Sequence, residues 1–244
     1  MLTWSSGTQT NSIGGIVLRP TAARRSAAKR PRSTARDDGI PILLFIGAPG
    51  SGKGTQARQL AGRQQQVHIE LGEQLRSEMK HRSPLGRRIT HYVEAGVLVP
   101  RALVRAEIAA VLHRKKRTIA ANGAILDGYP RNLAQAKDLL RLLREADLHN
   151  PLVVVNLRGP DRLFVARLLG RGRSDDTPAV VRRRLQLFHK ATAPMLRFLR
   201  SRLPVIDVGA DAPVPVVAAS IQTGLDDYLR HGGELPGIPS ASAS

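Results

Sequence analysis

The sequence predicts an α/β protein, a parallel sheet with helices on both faces, built around a phosphate-binding turn after its first strand. Three observations lead there. Short aliphatic runs alternate with longer helix-compatible stretches along most of the chain, the pattern of strands joined by right-handed crossovers. The first run, Ile40 to Ile46, is almost wholly apolar, as a strand covered on both faces must be. It breaks into Gly47 to Gly52, which holds three glycines, a proline and a serine, and a helix-compatible segment, Gln56 to Ala61, follows.

That turn carries chemistry as well as geometry. Glycines let backbone N–H groups point at an anion, and a helix N-terminus adds its partial positive charge. Lys53 would then reach the outer phosphates of a nucleotide. In the general motif Ser or Thr follows the lysine and touches Mg²⁺; here Gly54 stands there and the hydroxyl comes from Thr55. The competing reading, a glycine-rich β-turn beside an incidental lysine, is disfavoured by so dense a spacing, since glycine averages about 7% of residues.

Further along, Val67-His68-Ile69 reads as a short second strand, and Gly72 to Met79 and Pro84 to Ala95 as helices joined at His81-Arg82-Ser83. Pro84 suits a first helical position and Gly96 a stop. A helix from Pro100 to about Arg114 precedes a third strand, Ala124 to Asp127. Asn132 can cap the helix that runs to about Ala146. A fourth strand, Leu152 to Leu157, a helix from Asp161 to Leu169, and a polar loop, Gly170 to Asp176, come next. A long helix from Pro178 contains Pro194, where a kink is expected. Pro204 to Asp207 is the fifth strand and Val214 to Leu229 the last helix. Ligands of such sheets sit beyond the carboxyl ends of the strands. Asp127 falls there beside the turn, where a carboxylate can hold a water of Mg²⁺.

Composition sets bounds. The 244 residues contain 42% hydrophobic but only 3% aromatic residues, so the core is aliphatic. There is no cysteine, hence no disulfide framework and no cysteine zinc site. No apolar run approaches the roughly 18 residues of a membrane span. Of the net charge of +19, seven basic residues and no acid lie in residues 1–36. Residues 1–38 read as a disordered basic extension, with an organelle transit peptide as the alternative; residues 232–244 read as a disordered tail. Scarce aromatics leave few stacking platforms for nucleic acid. The run His113 to Arg117 reads as a solvated helix end and loop. The seven histidines show no metal-ligand spacing, so no metal is expected beyond nucleotide-borne Mg²⁺.

These residues resemble the adenylate kinases, within the nucleoside monophosphate kinases, over about residues 40–230. GAPGSGKGTQ at 47–56 is similar to that family's phosphate loop, displaced threonine included; LDGYPR at 126–131, followed by Gln135, to its second signature; and GRGRSDD at 170–176 with Arg184 to its short-lid members. The resemblance implies a three-layer P-loop fold with a five-stranded sheet, a helical monophosphate-binding flap at about 70–99 and a very short lid at about 170–176, within a domain spanning 39–231. It implies Mg-dependent, reversible transfer of the ATP γ-phosphoryl group to a nucleoside monophosphate, with AMP the favoured acceptor. Gly50, Ser51, Gly52, Lys53, Gly54 and Thr55 would hold ATP, and Arg167 would stack on its base. Leu71, Arg76, Val99, Gly128, Arg131, Gln135, Arg173 and Arg184 would hold AMP. Lys53, Arg131, Arg171, Arg173 and Arg184 would neutralise the transferring group, with Asp127 and Thr55 toward Mg²⁺ and Asp175 and Asp176 orienting the lid arginines. The implied protein is a monomer of the cytoplasm.

The flap departs from the family pattern. Glu70-Leu71-Gly72-Glu73 stands where most adenylate kinases have Ser-Thr-Gly-Asp. Leu71 lacks the hydroxyl that contacts the acceptor base, and Glu70 brings a negative charge that points either into the pocket or outward as a helix N-terminal acid. Two alternatives therefore stay open beside AMP: a pyrimidine or broad acceptor, and a catalytically weak nucleotide-binding pseudokinase.

Overall fold

Strand β1 (Ile42–Gly47) is buried along its whole length. It starts two residues later than expected, because Pro41 has no N–H to give the ladder; the first donor is Ile42, to Pro151 O at 2.7 Å. The computed structural model describes residues 39–172 and 176–231. The expected extension (1–38) and tail (232–244), together with Arg173 and Asp175, lie outside the described residues.

β1 is the middle of five parallel strands in the order β2-β3-β1-β4-β5, where β2 is Val67–Glu70, β3 Ala124–Asp127, β4 Leu152–Arg158 and β5 Val205–Gly209. Because the chain leaves β1 to one side and later passes to the other, the carboxyl end of β1 is a topological switch point, the usual ligand crevice of open α/β sheets. Eight described helices cover the sheet: α1 (Lys53–Gln64), α2 (Leu71–Lys80), α3 (Pro84–Glu94), α4 (Arg101–Asn122), α5 (Leu133–Glu145), α6 (Asp161–Leu169), α7 (Pro178–Arg200) and α8 (Val214–Arg230).

Strand side chains alternate between two cores, one on each face. Ile42, Leu44 and Ile46 join Ile69 and Leu126 in a core closed by α2, α4 and α5. Leu43, Phe45, Ile125 and Val155 join a second core closed by α1, α6 and α8. Local chemistry sets the helix ends. Ser83 accepts from Gly86 N with Pro84 at the first position of α3, Asn132 accepts from Gln135 N at 2.9 Å, and Thr177 caps α7. Helix α7 continues through Pro194.

Two expected boundaries are corrected. α1 begins at Lys53 rather than Gln56, since left-handed Gly52 already serves as its N-cap. α4 runs past Arg114 to Asn122 and stops at Gly123, whose φ is 67°. His113 to Arg117 is therefore a solvated stretch inside a helix, not a helix end. The basic run contains no helix breaker, and Ile119 anchors the continuation in the core.

A buried carboxylate anchors one of the ion pairs in the helical layer. Asp138 on α5, its side chain 1% exposed, receives two bonds from Arg101 at 2.6 and 2.5 Å. The Arg101 hydrogen bond holds its carboxyl below the usual 3.8. A depressed carboxylate stabilises the fold above its unfolded pKa and loses that contribution as pH falls through the folded value. Asp138→Asn should therefore lower stability by about 1–3 kcal/mol at pH 7. Urea unfolding of both proteins should show the difference shrinking below pH 3.8.

Candidate active site

The phosphate turn lies at the carboxyl end of β1. Gly50 has φ 84°, and a Cβ there would sit 2.4 Å from Phe164 O, so the turn can close against α6 only with glycine. By helix geometry the unclaimed N–H groups of the first turn of α1 belong to Lys53, Gly54 and Thr55. Ser51 is buried, its Oγ without a partner. Lys53 folds back on the turn, donating to Gly47 O at 2.7 Å and Ala48 O at 2.9 Å. Desolvation lowers its pKa to about 8 against the attraction of Asp127, and Arg131 and Arg171 push it further down.

The displaced hydroxyl of the loop now has a steric reason. A Cβ at position 54 would come within 3.1 Å of Asp127 Oδ2, so that carboxylate would have to give by a few tenths of an ångström. Glycine directly after the lysine lets the end of β3 approach α1, and Thr55 at the next position lines the cleft. Asp127 is 5% exposed, and no hydrogen bond or ion pair reaches its carboxylate among the described residues. Two unused oxygens facing the phosphate turn fit the water shell of Mg²⁺.

Around this turn opens a cleft of about 350 Å³ that Lys53, Arg76, Arg131, Arg171 and Arg184 all line. Asp176, its side chain 2% exposed, bridges two of these cations, accepting from Arg171 Nε at 2.8 Å and Nη2 at 2.7 Å and from Arg184 Nη1 at 2.9 Å. Arg131 donates from Nε to Gly128 O at 2.7 Å. Desolvation pushes its pKa below the arginine range; Asp127 opposes this, and Arg184 and Arg76 add repulsion. It stays protonated at neutral pH, as guanidinium does.

Leu71 and Val99, both buried, line the same cleft with Gly128 and Gln135. Gln135 is held by its carbonyl, which accepts the Arg131 N–H at 2.8 Å. Only an amide oxygen can accept there, so the NH₂ is left as the donor; the expected use of both amide groups by a base is reduced by that bond. Glu70 points inward. Its side chain is 13% exposed and pairs with Arg76 at 3.4 Å and Arg58 at 3.2 Å, which settles the alternative in favour of the pocket. Arg167 does not line this cleft; its Nη1 donates to Ala210 O, beyond β5, at 2.7 Å.

Sequence reasoning did not single out His68, which lies beside two residues of the cleft. Val67 and Ile69 face one core, so His68 and Glu70 share the other face of β2, and Glu70 stands opposite Asp127 in register. One ligand atom from each of His68, Glu70 and Asp127 lies within 4.8 Å of the others. The histidine spacing along the chain gave no sign of this grouping. Spacing along the chain could not reveal a set assembled across two strands, although the two-residue period of β2 marked half of it.

Because burial lowers the Lys53 pKa to about 8 and an anion in the turn stabilises its charged form, binding of a fully ionised anion at pH 8 should take up protons. Calorimetry with sulfate, which carries no titrating proton in this range, in buffers of different ionisation enthalpy should show this as buffer-dependent heat, smaller at pH 6.5 and absent in Lys53→Met. Equal heats in all buffers at pH 8 would contradict it.

Comparison with known proteins bears on the same residues. A family-wide sequence profile described as adenylate kinase matches residues 45–203. An adenylate kinase of Trichodesmium erythraeum is 38% identical over 188 residues, 75% of this chain and 97% of the relative. Adenylate kinase 1 of a Nostoc species is 43% identical over 169 residues, 69% of this chain and 90% of the relative. An adenylate kinase of Corynebacterium urealyticum is 34% identical over 184 residues, 75% and 98% of the two chains. With this sheet order, this phosphate turn and this ring of cations, the chain belongs to the adenylate kinase family, whose members are phosphotransferases.

Proposed function

We propose that the protein transfers the γ-phosphoryl group of ATP to AMP, reversibly, giving two molecules of ADP. The observation that carries this reading is the convergence of Lys53, Arg76, Arg131, Arg171 and Arg184 on one cleft beside an unpaired Asp127. Phosphoryl transfer asks little covalent chemistry of a protein; positioning and charge stabilisation do most of the work. Simple nucleotide binding would not require cations on both sides of the transferred group.

In this reading Gly50 to Thr55 hold the ATP phosphates, and Lys53 leaves the loop carbonyls for the outer phosphates. Arg167, close to the end of β5, stacks on the ATP base with its planar guanidinium. Arg76 and Arg131 take the acceptor phosphate. Arg171 and Arg184, joined by Arg173 of the lid, neutralise the transferring group. Leu71, Val99, Gly128 and the Gln135 amide form the acceptor-base pocket, and a donor NH₂ suits a ring nitrogen of adenine. Asp127 and Thr55 would hold Mg²⁺, which when bound neutralises phosphate charge. The helices of residues 70–99 act as the flap and 170–176 as the lid, whose closure excludes water, the competing acceptor. Among the described residues no helix is long and apolar enough to cross a membrane. The reading takes the protein as a cytoplasmic monomer.

Leu71 supports a second reading, in which other monophosphates are accepted. Its side chain is buried in the pocket wall and offers no hydrogen bond to a base.

With MgATP and a panel of AMP, CMP, UMP, GMP and dTMP, ADP should form fastest with AMP. Equal turnover of pyrimidine acceptors would favour the second reading, and none with any acceptor would sink both. Lys53→Ala should raise the barrier by about 3 kcal/mol, read as kcat; a wild-type rate would remove it from the mechanism. Leu71→Thr should sharpen the preference for AMP by about 1–3 kcal/mol in relative kcat/KM; an unchanged acceptor profile would show that this position does not read the base.

A further inference from the structure

We propose that His68, Glu70 and Asp127 form a divalent-cation site that is complete without nucleotide and prefers a first-row transition ion over Mg²⁺. Three observations meet here. The three side chains come from adjacent strand ends, share one sheet face by the two-residue strand period, and bring a ligand atom each within 4.8 Å. Two ligands of one ion lie at most about 4.2 Å apart at metal–ligand distances near 2.1 Å, so small side-chain rotations close the set. Asp127, 95% buried by its 5% exposure, is aimed into the cluster without a hydrogen bond or ion pair among the described residues. The His68 Nε2 is likewise buried with no partner.

An imidazole nitrogen buried without a partner is costly, and the Asp127 carboxylate beside it holds no protein partner among the described residues. One ion between them satisfies both.

The donor set decides the kind of ion. Mg²⁺ prefers oxygen ligands and retains its waters. An imidazole nitrogen with two carboxylates suits ions of the Mn²⁺ to Zn²⁺ series. The neighbouring charges are not all favourable: Lys53 faces the cluster from α1, and Arg58 and Arg76 already touch Glu70. Those two contacts are long, at 3.2 and 3.4 Å, and each carboxylate oxygen keeps a second lone pair for the ion. The site differs from nucleotide-borne Mg²⁺ because two of its three ligands, His68 and Glu70, need no phosphate nearby. It stands independently of the phosphoryl-transfer reading.

The test is Mn²⁺ binding to the full chain without nucleotide, followed by the loss of the free-ion electron paramagnetic resonance signal. One Mn²⁺ should bind per chain, Zn²⁺ should displace it near equimolar amounts, and Mg²⁺ only in large excess. His68→Ala and Glu70→Ser should each weaken binding by at least about tenfold. Thermal unfolding confirms that each variant is folded, and His68→Gln replaces His68→Ala if it is not. Absence of binding in the wild type, or unchanged binding in a folded His68 variant, overturns the site. So does displacement by Mg²⁺ as readily as by Zn²⁺, or loss in Asp127→Asn alone, since either marks a carboxylate-held cation with no imidazole in it.

Discussion

Cations gathered closely enough to hold two polyanions repel one another when the anions are gone, and the rest of the site is arranged around that repulsion. Two unit charges about 4 Å apart cost about 4 kcal/mol at an effective dielectric of 20. Each cation in the cleft is accordingly parked on an oxygen. Lys53 sits on the Gly47 and Ala48 carbonyls, Arg131 on Gly128 O, Arg76 against Glu70, and Arg171 and Arg184 on the two oxygens of Asp176. Even so, desolvation holds the Lys53 pKa near 8. The incoming phosphates would replace these oxygens, so binding exchanges one set of charge-assisted contacts for another instead of creating charge neutrality from nothing.

The fold explains why so many of these groups can share one place. β1 lies between β3 and β4, so strand ends, the first turn of α1 and the start of α2 all open into the same crevice. Two small-residue choices bring them within reach. Gly50 lets the turn pass under α6, and Gly54 lets Asp127 stand against α1. The buried aliphatic layers on either face hold this crevice rigid, as positioning chemistry requires.

Much of this was legible in the sequence, for physical reasons that can be named. The aliphatic runs 40–46, 124–127 and 152–157 read as strands because both faces of such runs must be covered, and the strands formed differ from them by at most two residues at an end. The glycine-rich turn likewise announced an anion. The capping role of Asn132 was also plain from its chemistry. What escaped were features set by tertiary context. The extent of α4 depended on Ile119 finding the core, the inward aim of Glu70 depended on which face of β2 packs against α1, and the partnership of His68 with Asp127 depended on the β2–β3 register. Gln135 shows the same limit: its identity pointed to base recognition, but only the structure reveals that Arg131 already occupies part of its carbonyl.

The central claim is that one cleft binds a donor and an acceptor nucleotide end to end, with its cations focused on the phosphates between them. The most direct measurement is the affinity of a single molecule carrying two adenosines on a five-phosphate bridge, by calorimetry against ATP and AMP separately. Tethering converts the second binding event into an intramolecular one, so the account predicts affinity about 100-fold or more above that of ATP alone, with competition against both nucleotides. Affinity no better than that of ATP, or competition with only one of the two, would contradict it.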